Sequence, residues 1–385
     1  MNHRERVLDV LNGKIPDKVP KGDVLFHPKT IDEALGLKIR NEYKNPAASM
    51  AFEDMTMEEF EKQKRFRELI NCDLILIWPN LCSDESSKRT NSKTGKETVK
   101  DIFGNIYTIY ENSFKLDHVI KDPKDMDKYE HPDVNNISYK NVELWHKNTD
   151  FCVFAMVDSA NSGVWYNLTG FENYMIWFYK ERERLFNLMK KHVSFNIELA
   201  KKFYKHGIDA VFIADDFASN YGTFIRPQDM KEYYFPLLKW QVSEIKKSLG
   251  VPVVLHSDGN LNEVMDLIIE TGVDAIMSLQ PNCGMDIKYL KEKYGKKITL
   301  WGNINISELL ESGTPEEIKT VVKETIRIAA PGGRYILSTS NAPSLPSIPT
   351  KNILAMYEAG EEYGYYPINY EIKSELYRKY IKKRT

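Results

Sequence analysis

The sequence predicts an α/β fold, a (β/α)8 barrel of the TIM type, and three observations carry that expectation. Eight short, continuous apolar runs recur along the 385 residues, and most end in a polar or special residue. Helix-like segments separate the later runs. Chemistry-bearing side chains gather at the carboxyl ends of the runs, while the opposite ends show mostly turn residues. Runs apolar on both faces are the mark of a parallel sheet covered on each side, and a barrel enzyme builds its site at the carboxyl ends of such strands. An open doubly wound sheet is the alternative, but no G-x-G-x-x-G follows the first run.

In order, the runs are VPKGDVLFHP (19–28), CDLILIWPN (72–80), FCVFAMVDSA (151–160) and IDAVFIADD (208–216). They continue with VPVVLHSDG (251–259), VDAIMSLQPN (273–282), ITLWGNIN (298–305) and RYILSTSN (334–341). The segment after Arg226 has apolar residues at helical spacing and stops at Gly250; NLNEVMDLIIETG has Asn260 as its cap and closes on Gly272. TPEEIKTVVKETIRIAAPGG opens on a Thr-Pro-Glu-Glu start, with Pro in the first helical turn. Residues 83–130 differ: they are polar and lysine-rich, and KETVKDIFGNIYTIYEN reads as a hairpin around Phe103-Gly104-Asn105. This stretch is expected as an excursion between the second and third barrel strands, within a single domain spanning 1–385.

Bulk composition narrows the function classes. Hydrophobic content is 42% and aromatic content 12%, enough for a sizeable core. A net charge of -2 argues against nucleic-acid or anionic-membrane partners. No apolar run approaches the ~18 residues of a spanning helix, and MNHRERVLDVLNG has no apolar signal core. Cys72, Cys82, Cys152 and Cys283 are scattered without a CxxC pair, which fits a reducing cytoplasm.

The run ends supply the candidate site. In VVLHSDGN (253–260), His256 and Asp258 are two apart, so on a strand both face one side. Asp215 and Asp216 point to opposite sides; Asp215, sharing a side with Val211 and Ile213, is expected to face the barrel axis. His27, Trp78, Asn80, Asn303 and Asn341 lie at other run ends and are candidates for binding substrate, as are Asp216 and Tyr221. Cys283 is the cysteine near the later strands and a further candidate metal ligand.

As a set, several stretches resemble the uroporphyrinogen decarboxylase superfamily over nearly the full length. They are RERVLDVLNGKIPDKVP, GIDAVFIADDFASNYGTFIRPQDMKEYYFPLLKWQ, GVPVVLHSDGNLNEVMDLIIETGVDAIMSLQP, LWGNINISELLESGTPEEI and APGGRYILSTSNAPS. The resemblance implies a distorted (β/α)8 barrel with a deep cleft at the carboxyl-end face. It also implies one of two activities. Decarboxylases hold a multiply anionic tetrapyrrole with an arginine-rich segment after the first strand; here GDVLFHPKTIDEALG stands there, with no arginine before Arg40. Methyltransferases acting on thiols resemble one another in His-x-Cys at the fifth strand and a second Cys near the eighth. This chain keeps His256 but has Asp258 in the Cys place, and YILSTSN has no Cys. The sequence therefore looks closest to the cobamide-dependent branch that exchanges a methyl group with a methoxy compound, a methylamine or tetrahydrofolate.

That branch implies roles for the candidates. An oxygen or nitrogen leaving group must be protonated or metal-bound. His256, Asp258 and Asp215 are expected to hold zinc with an open fourth position, Cys283 being a further candidate ligand and Asp216 standing behind them; acid–base chemistry without metal is the alternative. No D-x-H-x-x-G stretch is present, so the corrinoid is expected on a partner protein docked over the barrel mouth. The resemblance also admits a homodimer. A decarboxylase, or a non-catalytic barrel binding a corrinoid or pterin-like ligand, are the competing readings.

Overall fold

A computed structural model describes residues 1–40, 43, 53–82, 88–90, 97–109, 114–343, 345–371 and 374–381. Its strands run β1 (Leu74–Ile77), β2 (Lys88–Thr90), β3 (Glu97–Lys100), β4 (Ile106–Ile109), β5 (Phe114–Asp117), β6 (Cys152–Asp158) and β7 (Ala210–Ala214). They continue with β8 (Ala218–Ser219), β9 (Gly222–Thr223), β10 (Val253–Ser257), β11 (Ala275–Ser278), β12 (Thr299–Ile304) and β13 (Tyr335–Thr339). Seven of them form one all-parallel curled sheet in the order β1-β6-β7-β10-β11-β12-β13. This is the TIM-barrel type of α/β fold that the apolar runs predicted.

The first of the eight expected strands is a correction. Residues 19–28 form no regular strand; Lys21 makes one parallel bridge to Leu337. Leu337 N donates to Pro20 O at 2.9 Å and Gly22 N to Leu337 O at 3.1 Å, while Asp73 N donates to Lys21 O at 2.8 Å on the other side. The segment thus touches both edge strands of the sheet. Pro20 has no N–H to give, and the Lys21 N–H is taken by the Asp73 carboxylate at 2.8 Å, so no ladder can propagate. Gly22 is needed because a Cβ there would lie 2.5 Å from Leu74 Cγ.

The alternation along each strand separates two apolar layers. Leu74, Leu76, Phe154, Phe212, Val254, Met277, Trp301 and Ile336 form an inner cluster that also takes Val7, Val10 and Leu11 from the helix His3–Leu11. That helix covers the amino-end face: Thr299 Oγ1 donates to Val10 O at 3.0 Å. Ile75, Ile77, Val153, Val211, Ile213, Val253 and Leu255 point the other way, into the larger cluster beneath the helices. The helix Pro315–Ala329 has a Thr314/Glu317 capping box and Pro at its start, and Phe235–Leu249 ends on Gly250 at φ 68°.

Between β1 and β6, a separate antiparallel sheet has the order β2-β3-β4-β5. β3 and β4 pair across residues 101–105, where Asp101 N donates to Asn105 O at 3.0 Å. Among the described residues, no helix is long and apolar enough to cross a membrane.

Candidate active site

His256 is the fourth of the five residues of β10 and faces inward with Val254. Its register partners are Ala214 on β7 and Met277 on β11. Continuing the same alternation past the strand ends puts Asp216 and Asp258 on that inner side, at the carboxyl end of the barrel. Asp216 Oδ1 lies 3.7 Å and Asp258 Oδ1 3.8 Å from His256 Nε2. One ligand atom from each residue lies within 4.8 Å of the others.

Each member is held from behind. Met277 Sδ is 3.0 Å from His256 Nδ1, and the imidazole stacks on Phe212 with centroids 5.7 Å apart. A thioether accepts but cannot donate, so this contact puts the ring proton on Nδ1 and leaves the Nε2 lone pair facing the two carboxylates. Asp258 Oδ1 accepts from Ser278 Oγ at 2.6 Å and Oδ2 from Asn341 Nδ2 at 2.7 Å. Asp258 N in turn donates to Asp216 Oδ1 at 2.8 Å. Burial raises the Asp258 carboxyl above its usual range, and Asp216 adds to the rise while His256, Ser278 and Asn341 oppose it.

Three acceptors converging on one space call for a cation between them. In a tetrahedral zinc site with bonds of ~2.0–2.1 Å, neighbouring ligand atoms are about 3.4 Å apart. The observed 3.7 and 3.8 Å need only a few tenths of an ångström of closure, and the two carboxylate oxygens, within 4.8 Å of each other, need to draw together by at most about 1.4 Å. The donor set therefore fits zinc with an open fourth position, and the same space fits a proton on Nε2. Asn341→Ala removes one of the two side-chain donors to Asp258. It is expected to weaken metal binding roughly 10–100-fold, measured by competition with a chromophoric chelator.

The loop geometry requires glycine beside the site. Gly259 has φ 91°, and a Cβ there would lie 2.6 Å from Ser219 O and 2.7 Å from Ala218 O. Gly259→Ala is expected to cost at least about 1–3 kcal/mol, read from denaturant unfolding.

Several expectations about individual residues need correction. Asp215 does not face the axis: it shares a side with Val211 and Ile213, and that side is the outer one. Its fully buried carboxylate accepts from the backbone N–H of Asn161 at 3.2 Å, Gly163 at 3.4 Å and Ser162, so it ties the β6 loop to β7. Cys283 is outside the three-residue group; its Sγ contacts Asn220 Oδ1 at 3.2 Å and Gln280 Oε1 at 3.5 Å. Asn303 spends its amide on Leu279 O and, at 3.0 Å, Met285 O, bracing the loop after β11. His27 is a helix cap, its Nδ1 accepting from Lys29 N at 3.2 Å; burial and then Lys29 lower its pKa. Asn80 donates to Asp54 at 3.0 Å, and Tyr221 is 85% exposed in the β8–β9 turn. Trp78 packs at the edge of the inner cluster. Met277 and Ser278 were not anticipated; counting the β10–β11 register would have found Met277, the partner of His256.

The geometry can now be set beside known proteins. Methylcobamide:CoM methyltransferase MtbA of Methanosarcina acetivorans is 28% identical over 176 residues, covering 45% of this chain and 47% of that one. The chain thus spans about half the length of this relative. Uroporphyrinogen decarboxylase of Chlorobium phaeobacteroides is 25% identical over 270 residues, 66% of this chain and 73% of that protein. In fold, the chain is similar to a solved methyltransferase from Methanosarcina mazei, with a TM-score of 0.70 at 19% identity, over 94% of this chain and 99% of that one. The model of the family described as uroporphyrinogen decarboxylase (URO-D) matches residues 110–363. With well over half of its length matched, the chain belongs to the uroporphyrinogen decarboxylase family.

Proposed function

We propose that the chain is a methyltransferase that moves a methyl group between a small methoxy or methylamine compound, or tetrahydrofolate, and a corrinoid carried by a separate protein. The observation that carries the reading is the thiol-free group Asp216, His256 and Asp258 at the open ends of β7 and β10. Two carboxylates and an imidazole suit an oxygen or nitrogen leaving group, whereas a thiol acceptor pairs best with thiolate-ligated zinc. The similarity to methyltransferases supports the reaction class. Against the decarboxylase reading, residues 25–36 carry no arginine to hold a polyanionic tetrapyrrole.

Zinc held by Asp216, His256 and Asp258 would act as a Lewis acid toward the heteroatom that gives up the methyl group. The chain itself does the positioning. Met277 fixes the imidazole tautomer, Ser278 and Asn341 aim Asp258, and Phe212 walls one face of His256. Without metal, Nε2 is the atom from which a proton would pass to the leaving oxygen or nitrogen.

The test is to incubate the purified protein with cob(I)alamin and, in turn, a methoxybenzoate, trimethylamine and methyltetrahydrofolate. Appearance of the methylcobalamin spectrum with one donor class is the expected result. No methylcobalamin from any of them, with conversion of uroporphyrinogen to coproporphyrinogen, would replace the reading with decarboxylation. Corrinoid binding without any turnover would replace it with a carrier.

A further inference from the structure

β6 ends on Asp158, an acid outside the group of Asp216, His256 and Asp258. The sheet register nevertheless puts it in one row with that group. Asp158 pairs with Ala214 on β7, and Ala214 pairs with His256 on β10. Neighbouring strands lie about 4.8 Å apart, so the Asp158 and His256 backbones are roughly 10 Å apart with one alanine between them. Asp158, Ala214 and His256 are each partly exposed, whereas Val157, Ile213 and Leu255 just before them are buried. Strand alternation sets Asp158 on the inner side with Phe154 and Met156. One row down the lining is apolar, since Met156 pairs with Phe212 and Phe212 with Val254. The carboxyl-end row is thus a slot with an acid at one end, an imidazole at the other and an apolar floor.

Asp158 is pinned in place. Its backbone N–H donates to Asn196 Oδ1 at 2.9 Å, and its carbonyl accepts from Gln241 Nε2 at 2.7 Å. Oδ2 of its carboxyl accepts from Asn167 Nδ2 at 2.7 Å, and among the described residues Oδ1 has no partner. The charge that acts on the group is Asp215, which repels it; no lysine or arginine offsets that repulsion. Zinc on Asp216 and Asp258 would be neutralised by those two carboxylates. An ionised Asp158 is then the uncompensated charge of the slot, and a half-buried carboxylate calls for a cation.

We propose that Asp158 selects the substrate by charge: the slot takes a small methylated organic cation, whose ammonium group donates to Asp158 Oδ1 while its methylated end reaches Asp216, His256 and Asp258. The small Ala214 side chain leaves room between the two ends for the body of such a molecule. The assignment rests on the methyl-transfer reading and narrows its substrate class. Methoxybenzoates and methyltetrahydrofolate carry carboxylates, which Asp158 repels.

Titration calorimetry on the zinc-supplemented protein compares 4-methoxybenzylamine, 4-methoxybenzyl alcohol and 4-methoxybenzoate, a cation, a neutral molecule and an anion of nearly one shape. At pH 8 the Asp158 carboxyl, lifted by burial to about 7, is ionised. The amine is expected to bind roughly tenfold or more tighter than the alcohol, and the acid weakest. Asp158→Asn keeps an acceptor for Asn167 and is expected to bring amine and alcohol within roughly twofold of each other. The proposal is overturned if the three bind alike, if none saturates at millimolar concentration, or if the preference for the amine survives Asp158→Asn. Binding is read without turnover, so the two readings fail separately. A preference that disappears with Asp158, without methylcobalamin from any donor, keeps the cation site and removes methyl transfer.

Discussion

His256→Ala is expected to strip the protein of bound metal and to lower methyl transfer by at least roughly a hundredfold. Wild type purified without chelator should carry about one zinc per chain, and the variant close to none. Two carboxylates left without the imidazole between them repel each other and lose the only nitrogen donor of the group. The neighbouring acids sharpen the test, because two residues adjacent in sequence should behave oppositely. Asp216→Asn should lose metal, since its carboxylate lies 3.7 Å from Nε2. Asp215→Asn should keep metal and lose stability instead, since its carboxylate accepts backbone N–H groups of the β6 loop. Circular dichroism confirms that each variant is folded, and elemental analysis reads the metal. Metal retained in folded His256→Ala, or lost in Asp215→Asn and kept in Asp216→Asn, would end the proposed ligand set.

The contrast between Asp215 and Asp216 also shows where the sequence was legible. Strand positions could be read because buried parallel strands are apolar runs bounded by turn residues, and seven of the eight runs became strands of one sheet. Which side of a strand looks inward could not, because both sides are apolar: Val211 and Ile213 face helices, while Phe212 and Ala214 face the axis. His256 and Asp258 escaped the ambiguity because their spacing of two puts them together whichever side is inner. The first run misled for a different reason. Its apolar content resembles a strand, but Pro20 lacks a donor and the Asp73 side chain captures the Lys21 N–H. Long-range partners were the hardest to see. Asn341 reaches Asp258 from 83 residues away and Ser278 from 20, distances over which no local pattern carries information.

Asp158 is expected to take stability away from the fold as pH rises from about 4 to about 7. Asp158 ends β6. Burial, then repulsion from Asp215, lifts its carboxyl to about 7, although Asn167 donates to it at 2.7 Å. In the unfolded chain an aspartate titrates near ~3.9. Between those values the folded protein holds a proton that the unfolded chain has already released, so each step up in pH favours unfolding. The contribution is fully present below the unfolded value and gone above the folded one. Buried Asp23 and Asp101, each raised by burial to about 6, push in the same direction. Asp17, hydrogen-bonded to Arg6 and lowered to about 2, acts in the opposite sense but in another window: its stabilisation is lost only as pH falls from about 4 toward 2. His131, lowered to about 4 by burial and then Lys191, and buried His192, lowered well below the usual imidazole range by burial, act in the opposite sense within the same window, so the Asp158 contribution is read by substitution. Asp158→Asn keeps an acceptor for Asn167 and removes the titration. At pH 8 it should raise stability by roughly 2–4 kcal/mol, because each tenfold difference in proton affinity is worth about 1.4 kcal/mol, while at pH 4 it should change little. Calorimetric melts of both proteins across pH 4 to 8 read the difference directly. A variant whose stability falls with pH as steeply as the wild type would show that Asp158 is ionised in the folded protein throughout that range.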